Sequence, residues 1–255
     1  MILGGYMLKS ERQREIFRAL TERGFCSVKE LAALLYTSES SIRRDLTAMA
    51  REGIVRRSHG GAESVSVSTG VMPFEVRSCK NNEGKQLIAK KAVSLINEGD
   101  TVFLDQSSTS YFLALLLMDF KSLTVVTNNI EIVSLLSHTS HSVHCTGGVI
   151  SHRNANCLIG ESVSAAFSSV YADIAFFSAR SLSDNGDISE PTVEETYVRN
   201  AMLRNSKKRV FLCDGSKVGD RSTFKQCTLE DVDVAITDAN ALDSFRDKFK
   251  ELTIL

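Results

Sequence analysis

The chain of 255 residues contains no apolar stretch long enough to cross a membrane as a helix. Its longest such run, Tyr111 to Met118, falls far short of the about 20 residues a bilayer requires. The opening residues, MILGGYMLKSERQRE, hold neither a full apolar leader core nor a small-residue cleavage site, so secretion is not expected. The six cysteines (26, 79, 145, 157, 213 and 227) are scattered without a C-x-x-C pair. That scatter fits reduced thiols in a cytosol better than a disulfide framework. Internal repeats and low-complexity tracts are absent as well. The remaining material, 43% hydrophobic, is enough for a sizeable core in one large or two ordinary domains. The expectation is a cytoplasmic protein with no membrane partner.

A formal net charge of −1 hides an uneven distribution. Residues 1–62 hold eleven Lys/Arg against seven Asp/Glu, a net +4, and the remainder is net −5. A basic head on an acidic body is the electrostatic footprint of a polyanion-binding module joined to a second function. Charge alone fits a solvated helical face equally well, so the pattern within the head has to decide.

Ser10-x-x-Gln13 reads as a capping box opening a first helix with Ile16, Ala19 and Leu20 as its apolar stripe and Gly24 as its end. A second box, Ser27-x-x-Glu30, opens a short helix with Val28, Leu31, Ala32 and Leu35 inward. A third helix follows, capped by Thr37 or Ser38 and closing near Gly53. Ile42, Leu46 and Met49 share one face of it, which leaves Ser40, Arg43, Arg44 and Thr47 on the opposite face. Arginines and small hydroxyl residues there suit a major groove, where Arg forks onto guanine or grips phosphate. Residues 54–62, IVRRSHGGA, read as a β-ribbon carrying Arg56, Arg57 and His59 to the DNA backbone. Helix–turn–helix packing alone is common; the Arg-Arg-Asp-Leu and Arg-Arg-x-His-Gly-Gly segments make this pattern specific.

Leu8-Lys9-Ser10-Glu11-Arg12-Gln13-Arg14-Glu15-Ile16, Ser41-Ile42-Arg43-Arg44-Asp45-Leu46 and Arg56-Arg57-x-His59-Gly60-Gly61-Ala62 resemble the signature of the DeoR family of bacterial transcriptional regulators. The resemblance covers essentially the whole chain from Leu8 onward. It implies a winged helix-turn-helix that binds operator DNA and a C-terminal domain that senses a phosphorylated sugar or related metabolite. The family's usual start aligns near Met7, which makes residues 1–6 an extension or an upstream start.

Beyond the head, Glu63 to Met72 has no helical period and reads as a connector, or as valines extending the wing. Pro73-Phe74-Glu75 marks the beginning of the body, and a helix is expected over 82–96. Apolar runs at 102–104, 123–126, 143–145, 172–177, 210–213 and 234–237 then alternate with helical stretches at 111–117, 130–136 and 192–206, the last with its own box, Thr192-x-x-Glu195. Unpatterned apolar strands alternating with helices mean a parallel sheet covered on both faces. The expected fold is α+β multidomain. A winged helix-turn-helix occupies 8–63, a linker 64–73, and an α/β effector-sensing and oligomerisation domain 74–255. Its mostly parallel sheet is similar to the ribose-5-phosphate isomerase/CoA-transferase-like fold.

Such sheets bind ligands at the carboxyl ends of their strands. That rule selects Asp105-Gln106-Ser107-Ser108-Thr109, Thr127-Asn128-Asn129, Thr146-Gly147-Gly148 and Asp214-Gly215-Ser216-Lys217. The first turns into a helix whose amides can hold a phosphate, and Lys217 offers the same anion a point charge. Asp105 and Asp214 suit sugar hydroxyls. Ordinary turn chemistry competes for each loop singly; four converging loops outweigh it. The resemblance agrees. These loops look like the family's Asp-x-Gly-Thr-Thr, Thr-Asn, Thr-Gly-Gly and Asp-Ser-Ser-Lys elements, with Gly215 departing from the last. It also brings in Arg77, Lys85 and Glu194 as effector-binding positions, with Arg199 where a Lys is usual. Ser107 stands where the family has Gly, which adds a Cβ near the phosphate path. Ser178-Ala179-Arg180-Ser181 replaces a glycine-containing segment, so that Arg180 either contacts an anion or fills the pocket.

His138, His141, His144 and Cys145 lack ligand geometry for a metal and read as surface polar residues. Cys213 reads as a buried small hydrophobe. No cofactor or metal is expected. The reading is a sequence-specific repressor of carbohydrate metabolism genes, assembled as a homo-oligomer and gated by a phosphorylated effector, and not an enzyme. Two alternatives stay open: a sugar-phosphate isomerase-like enzyme using Asp105, Glu194 or Asp214 as base, and a regulator with a degenerate sensor.

Overall fold

The computed structural model describes residues 9–51, 55–64, 74–238 and 240–255. They divide into two compact units, Met1–Lys80 and Asn81–Leu255. Leu8, the expected helix closure at Gly53 and residues 65–73 of the expected linker lie outside the described residues.

The first unit begins with α1 (Lys9–Arg23), β1 (Phe25–Ser27) and α2 (Val28–Leu34). It continues with α3 (Glu39–Arg51), β2 (Val55–Ser58), β3 (Gly61–Ser64) and α4 (Phe74–Cys79). Helix α1 already includes Ser10, so Ser10 is not its cap, contrary to the sequence reading. The second box is formed in full: Ser27 accepts from the Glu30 amide, and the Glu30 carboxylate accepts from the Ser27 amide at 2.8 Å. Ile16, Leu20, Leu31, Ile42, Leu46 and Met49 bury together as one core beneath a three-stranded antiparallel sheet ordered β1-β3-β2. The two-stranded ribbon was legible; β1 was not, because three residues carry no period and only pairing with β3 makes them a strand. Helix α4 packs against α1.

The second unit opens with α5 (Asn82–Val93), β4 (Thr101–Leu104), α6 (Ser108–Leu117) and β5 (Thr124–Thr127). Next come α7 (Ile130–Leu136), β6 (Ser142–Cys145), β7 (Val149–Ser151), β8 (Asn154–Ile159) and α8 (Glu161–Ser168). They are followed by β9 (Ala172–Phe177), β10 (Ser181–Leu182), β11 (Asp187–Glu190), α9 (Val193–Arg204) and β12 (Ser206–Cys213). The last are β13 (Phe224–Thr228), β14 (Val234–Thr237), α10 (Asp243–Arg246) and β15 (Thr253–Ile254).

Seven strands form one wholly parallel sheet ordered β15-β14-β12-β9-β4-β5-β6. Alternate residues feed two cores. Ile174 and Phe176 of β9 pack with Ile88, Leu113 and Leu136 on one face. Ala175 and Phe177 pack with Phe167, Val198 and Phe245 on the other. Burial on both faces is why these strands read as unpatterned apolar runs. The chain moves outward from β4 to β6 in one direction and from β9 to β15 in the other, so the order reverses between β4 and β9. Among the described residues no helix is long and apolar enough to cross a membrane.

Candidate functional sites

In the first unit the Arg-Arg-Asp-Leu motif divides between surface and core. Ser40, Arg43, Arg44 and Thr47 are exposed and Ser41 is half-buried. Asp45 turns inward, 2% exposed, and takes the Arg12 guanidinium at 2.5 Å, while Leu46 joins the core. Ser38 is the cap: its hydroxyl accepts from the Ser41 amide at 3.2 Å and lies 2.9 Å from the Ser40 hydroxyl. Local acceptors hold the exposed arginines. Arg43 pairs with Glu39 at 3.0 Å, one turn back on α3. Arg57 on the wing donates to the Thr47 hydroxyl at 2.9 Å, and that hydroxyl donates to the Arg43 carbonyl at 2.7 Å. Arg56 donates across the ribbon to Glu63 at 2.7 Å, a bond that holds the Glu63 carboxyl below its usual range. His59 is exposed in the turn between β2 and β3. The ribbon and α3 are thus joined through side-chain hydrogen bonds.

In the second unit the strand-order reversal is occupied by Asp105, at the end of β4. One of its oxygens accepts from the Ser107 amide at 3.1 Å and the Ser110 hydroxyl at 2.7 Å. The other accepts from the Ser178 amide, beyond β9, at 3.0 Å and from Arg199 of α9 at 3.0 Å. Arg199 forks onward to Glu190 at 2.9 Å and to Gln226 at 3.2 Å. Burial pushes the Glu190 carboxyl up to about 7; Arg199 opposes this, and the nearby Glu195 and Asp105 add to it. Arg199 itself loses stability of its charge through burial, yet Glu190, Asp105 and Glu195 together raise its pKa above the ordinary guanidinium value.

Asp214, at the end of β12, caps a single turn over Gly215–Lys217. Burial alone would raise its carboxyl, but Lys217, the Ser216 hydroxyl, Lys85 and Asn81 outweigh that and bring it down to about 2. Lys217 reaches Asp214 at 3.4 Å and also donates to the Ser178 hydroxyl, so the ends of β9 and β12 meet at one ammonium group. Gly215, the departure from the expected serine, leaves room for Ala241, which a Cβ there would approach to 3.3 Å.

The structure brings Lys85, Asp105, Asp214 and Lys217 into one charged edge, with Ser107, Ser108 and Thr109 buried at the start of α6. Ser107 has φ −75° and caps α6 by accepting from the Ser110 amide at 3.0 Å, so this position needs no glycine. Thr127 and Asn128 are fully buried at the end of β5. Arg180 is exposed beyond β9 and has no ion-pair partner among the described residues, so it does not fill the interior. Gly147 and Gly148 both have positive φ, and a Cβ on Gly148 would collide with Val163 at 2.5 Å. Glu194 is exposed, and its neighbour Glu195 is the one that faces inward. Arg77 lies in the first unit, its guanidinium 5.7 Å from the Phe74 ring centre.

Glu190 and Gln226 were not singled out in the sequence, nor were the connecting roles of Gln106 and Ser178 within segments that were. A sequence signal existed only for these last two, each of which follows a recognised strand. Nor is His141 a surface residue. It is buried, with Nδ1 accepting from the Leu123 amide at 3.2 Å and Nε2 2.8 Å from the Leu117 carbonyl, which ties α6 to β5. Among the described residues no group of His, Cys, Asp and Glu has metal-holding geometry. Cys213 is the buried hydrophobe expected, its thiol pushed up to about 12 by burial.

The family model described as DeoR-like helix-turn-helix domain matches residues 12–68, and that described as DeoR C terminal sensor domain matches residues 80–239. The HTH-type transcriptional regulator GolR of Listeria innocua is 32% identical over 96% of each chain. The lactose phosphotransferase system repressor of Staphylococcus epidermidis is 31% identical over 93% of this chain and 95% of its own. The glycerol-3-phosphate regulon repressor of Escherichia coli is 28% identical over 91% and 92%. Among solved structures, ribose 5-phosphate isomerase A of Methanocaldococcus jannaschii overlays 55% of each chain with a TM-score of 0.40 and 18% identity.

Proposed function

The chain belongs to the DeoR family of transcriptional regulators, and from that premise we propose that it represses carbohydrate metabolism genes, with its grip on operator DNA set by a phosphorylated sugar or related metabolite. Ser40, Ser41, Arg43, Arg44 and Thr47 read or position the operator, and Arg56, Arg57 and His59 hold its backbone. The effector occupies the carboxyl edge of the parallel sheet in the second unit. Its phosphate is held by Lys217 and Arg180 beside the amino end of α6, where the peptide dipoles favour an anion. The observation that carries this reading is the meeting of β4, β9 and β12 at Asp105, Ser178 and Lys217, directly at the strand-order reversal.

The proposed domain limits are 8–63 for the DNA-binding module and 64–73 for a connector, with 74–255 as sensor and assembly domain in a cytoplasmic homo-oligomer; the compact units divide later, after Lys80. Two subunits present recognition helices to successive major grooves, and the effector favours one arrangement of heads over the other. The three bases named for an isomerase are poorly suited: Asp105 has both oxygens engaged, Asp214 is held near 2, and Glu194 is exposed. Ser107 acting as a helix cap removes one of the two grounds for a degenerate sensor.

The test is fluorescence anisotropy of the full chain on DNA from its own upstream region, at fixed salt, with a panel of sugar phosphates. Specific binding relieved by one compound, and no longer relieved in Lys217→Met, is the expected result. Turnover of a sugar phosphate without specific DNA binding contradicts it.

A further inference from the structure

Asn81 is the first residue of the second unit and the N-cap of α5. Asparagine is among the best N-caps because, on extended backbone, its side chain takes an amide of the first turn. Asn129 does this at α7, with φ −99° and its side chain accepting from the Glu131 amide. Asn81 does not. Its backbone is left-handed, with φ 49° and ψ 47°, and its side chain makes no cap bond. The side-chain amide donates instead to Asp238 Oδ2, just beyond β14, at 2.8 Å. A hydrogen bond from Asn81 also reaches Asp214.

Gly84, in the first turn of α5, makes room for this pair. A Cβ there would overlap Asp238 Oδ2 and lie 2.6 Å from Asn81 Nδ2. The left-handed backbone and the missing cap both work against the arrangement, so the bond to Asp238 is what opposes them. Once Asp238 releases the amide, a second arrangement is open to the same residue: extended, and capping α5 as Asn129 caps α7. Asp238 is in turn tied to the charged edge. Its Oδ1 accepts from the Gly215 amide at 2.8 Å, and Gly215 opens the single turn that carries Lys217. An anion that draws Lys217 toward itself therefore pulls on the turn that Asp238 holds. The chain passes from one compact unit to the other at Asn81, so a change in its φ redirects everything that precedes it.

We propose that Asn81 is a positioning residue, a hinge held left-handed by Asp238, through which occupancy at Lys217 sets the direction of the chain leading to the DNA-binding module. This rests on the sensor reading and supplies the two-state element that reading needs. Asn81 makes no contact with the effector itself.

The experiment is operator anisotropy of the full chain on DNA from its own upstream region, with and without inorganic phosphate, glycerol 3-phosphate, ribose 5-phosphate and fructose 6-phosphate. Isothermal titration of the same compounds runs beside it. In wild type at least one ester is expected to change the operator constant about tenfold or more. Asn81→Asp sets a third carboxylate beside Asp214 and Asp238 and is itself a strong cap, so it favours the second arrangement. It is expected to bring that ratio to within about twofold of one while the ester still binds. Gly84→Ala displaces the pair sterically with a better helix former, and the same result is expected. It keeps the test open should Asn81→Asp fail to fold. Combining Asn81→Asp with Asp238→Asn re-forms the bond with donor and acceptor exchanged, and is expected to recover a ratio of about threefold or more. Variants that keep the wild-type ratio, lose it because the ester no longer binds, or do not recover it on the exchange overturn the inference and leave the sensor reading standing. No change of the wild-type operator constant with any of the four compounds overturns both.

Discussion

Arg199 is among the largest fully buried side chains, and it balances three carboxylates rather than one. Replacing it with Met leaves Asp105 and Glu190 buried without their cation, and a broken buried pair costs about 3–5 kcal/mol. Urea denaturation of Arg199→Met is expected to show a loss of that order; a stability equal to wild type contradicts the role. The same cluster sets a pH dependence. Glu190 titrates near 7 when folded against 4.5 otherwise, so the folded state holds an extra proton between those values. Stability from this group is present at low pH and lost as pH rises from 4.5 to 7, by about 3 kcal/mol. Asp214 acts oppositely and lower down: its contribution is present above 3.8 and lost as pH falls toward 2. Urea midpoints are therefore expected to fall between pH 4.5 and 7 in wild type and to stay level in Glu190→Gln. Single residues were the least legible scale in the sequence. The Thr192-x-x-Glu195 box was recognised, yet only half of it forms, because the Glu195 carboxylate turns to Gln106 instead of its own helix. Glu194 is exposed while its neighbour Glu195 is buried, a helix phase that packing sets and local spacing does not.

Elements were read more successfully because their signals are local. The box at Ser27, the outward Arg43 and Arg44, and the ribbon around His59 all follow from spacing within a few residues. The sheet formed by β10, β11 and β13 was not legible, since β10 has only two residues and β13 joins β11 from beyond α9 and β12. The turn between α2 and α3 carries a cost of its own. Tyr36 has φ +48° and is almost fully exposed, a left-handed backbone with no packing to offset it. Tyr36→Gly is expected to raise the melting stability of the head by up to about 1 kcal/mol, and destabilisation would show that the exposed ring makes a contact of value. On DNA the two arginine classes separate. Arg44→Ala is expected to lose about 1–3 kcal/mol and relax the preference at one base pair, whereas Arg56→Ala weakens all sequences alike and flattens the salt dependence. Competition anisotropy over a set of single-base operator variants reads both; identical behaviour of the two variants contradicts the division between reading and gripping.

At the scale of the whole molecule, the basic head and acidic body visible in the charge distribution are two compact units, each with its own core. A regulator built this way works by linkage. If the effector lowers operator affinity by some factor, the operator must lower effector affinity by the same factor, because the two binding steps close one thermodynamic cycle. In an enzyme with an incidental basic head the two sites are uncoupled, and both factors are one. The most direct measurement is therefore the dissociation constant of the releasing sugar phosphate, taken with and without saturating operator DNA, beside the operator constant taken with and without saturating effector. Two equal ratios are expected, each of about tenfold or more, with both reduced to one in Lys217→Met. An effector that binds equally well to free and operator-bound protein contradicts it.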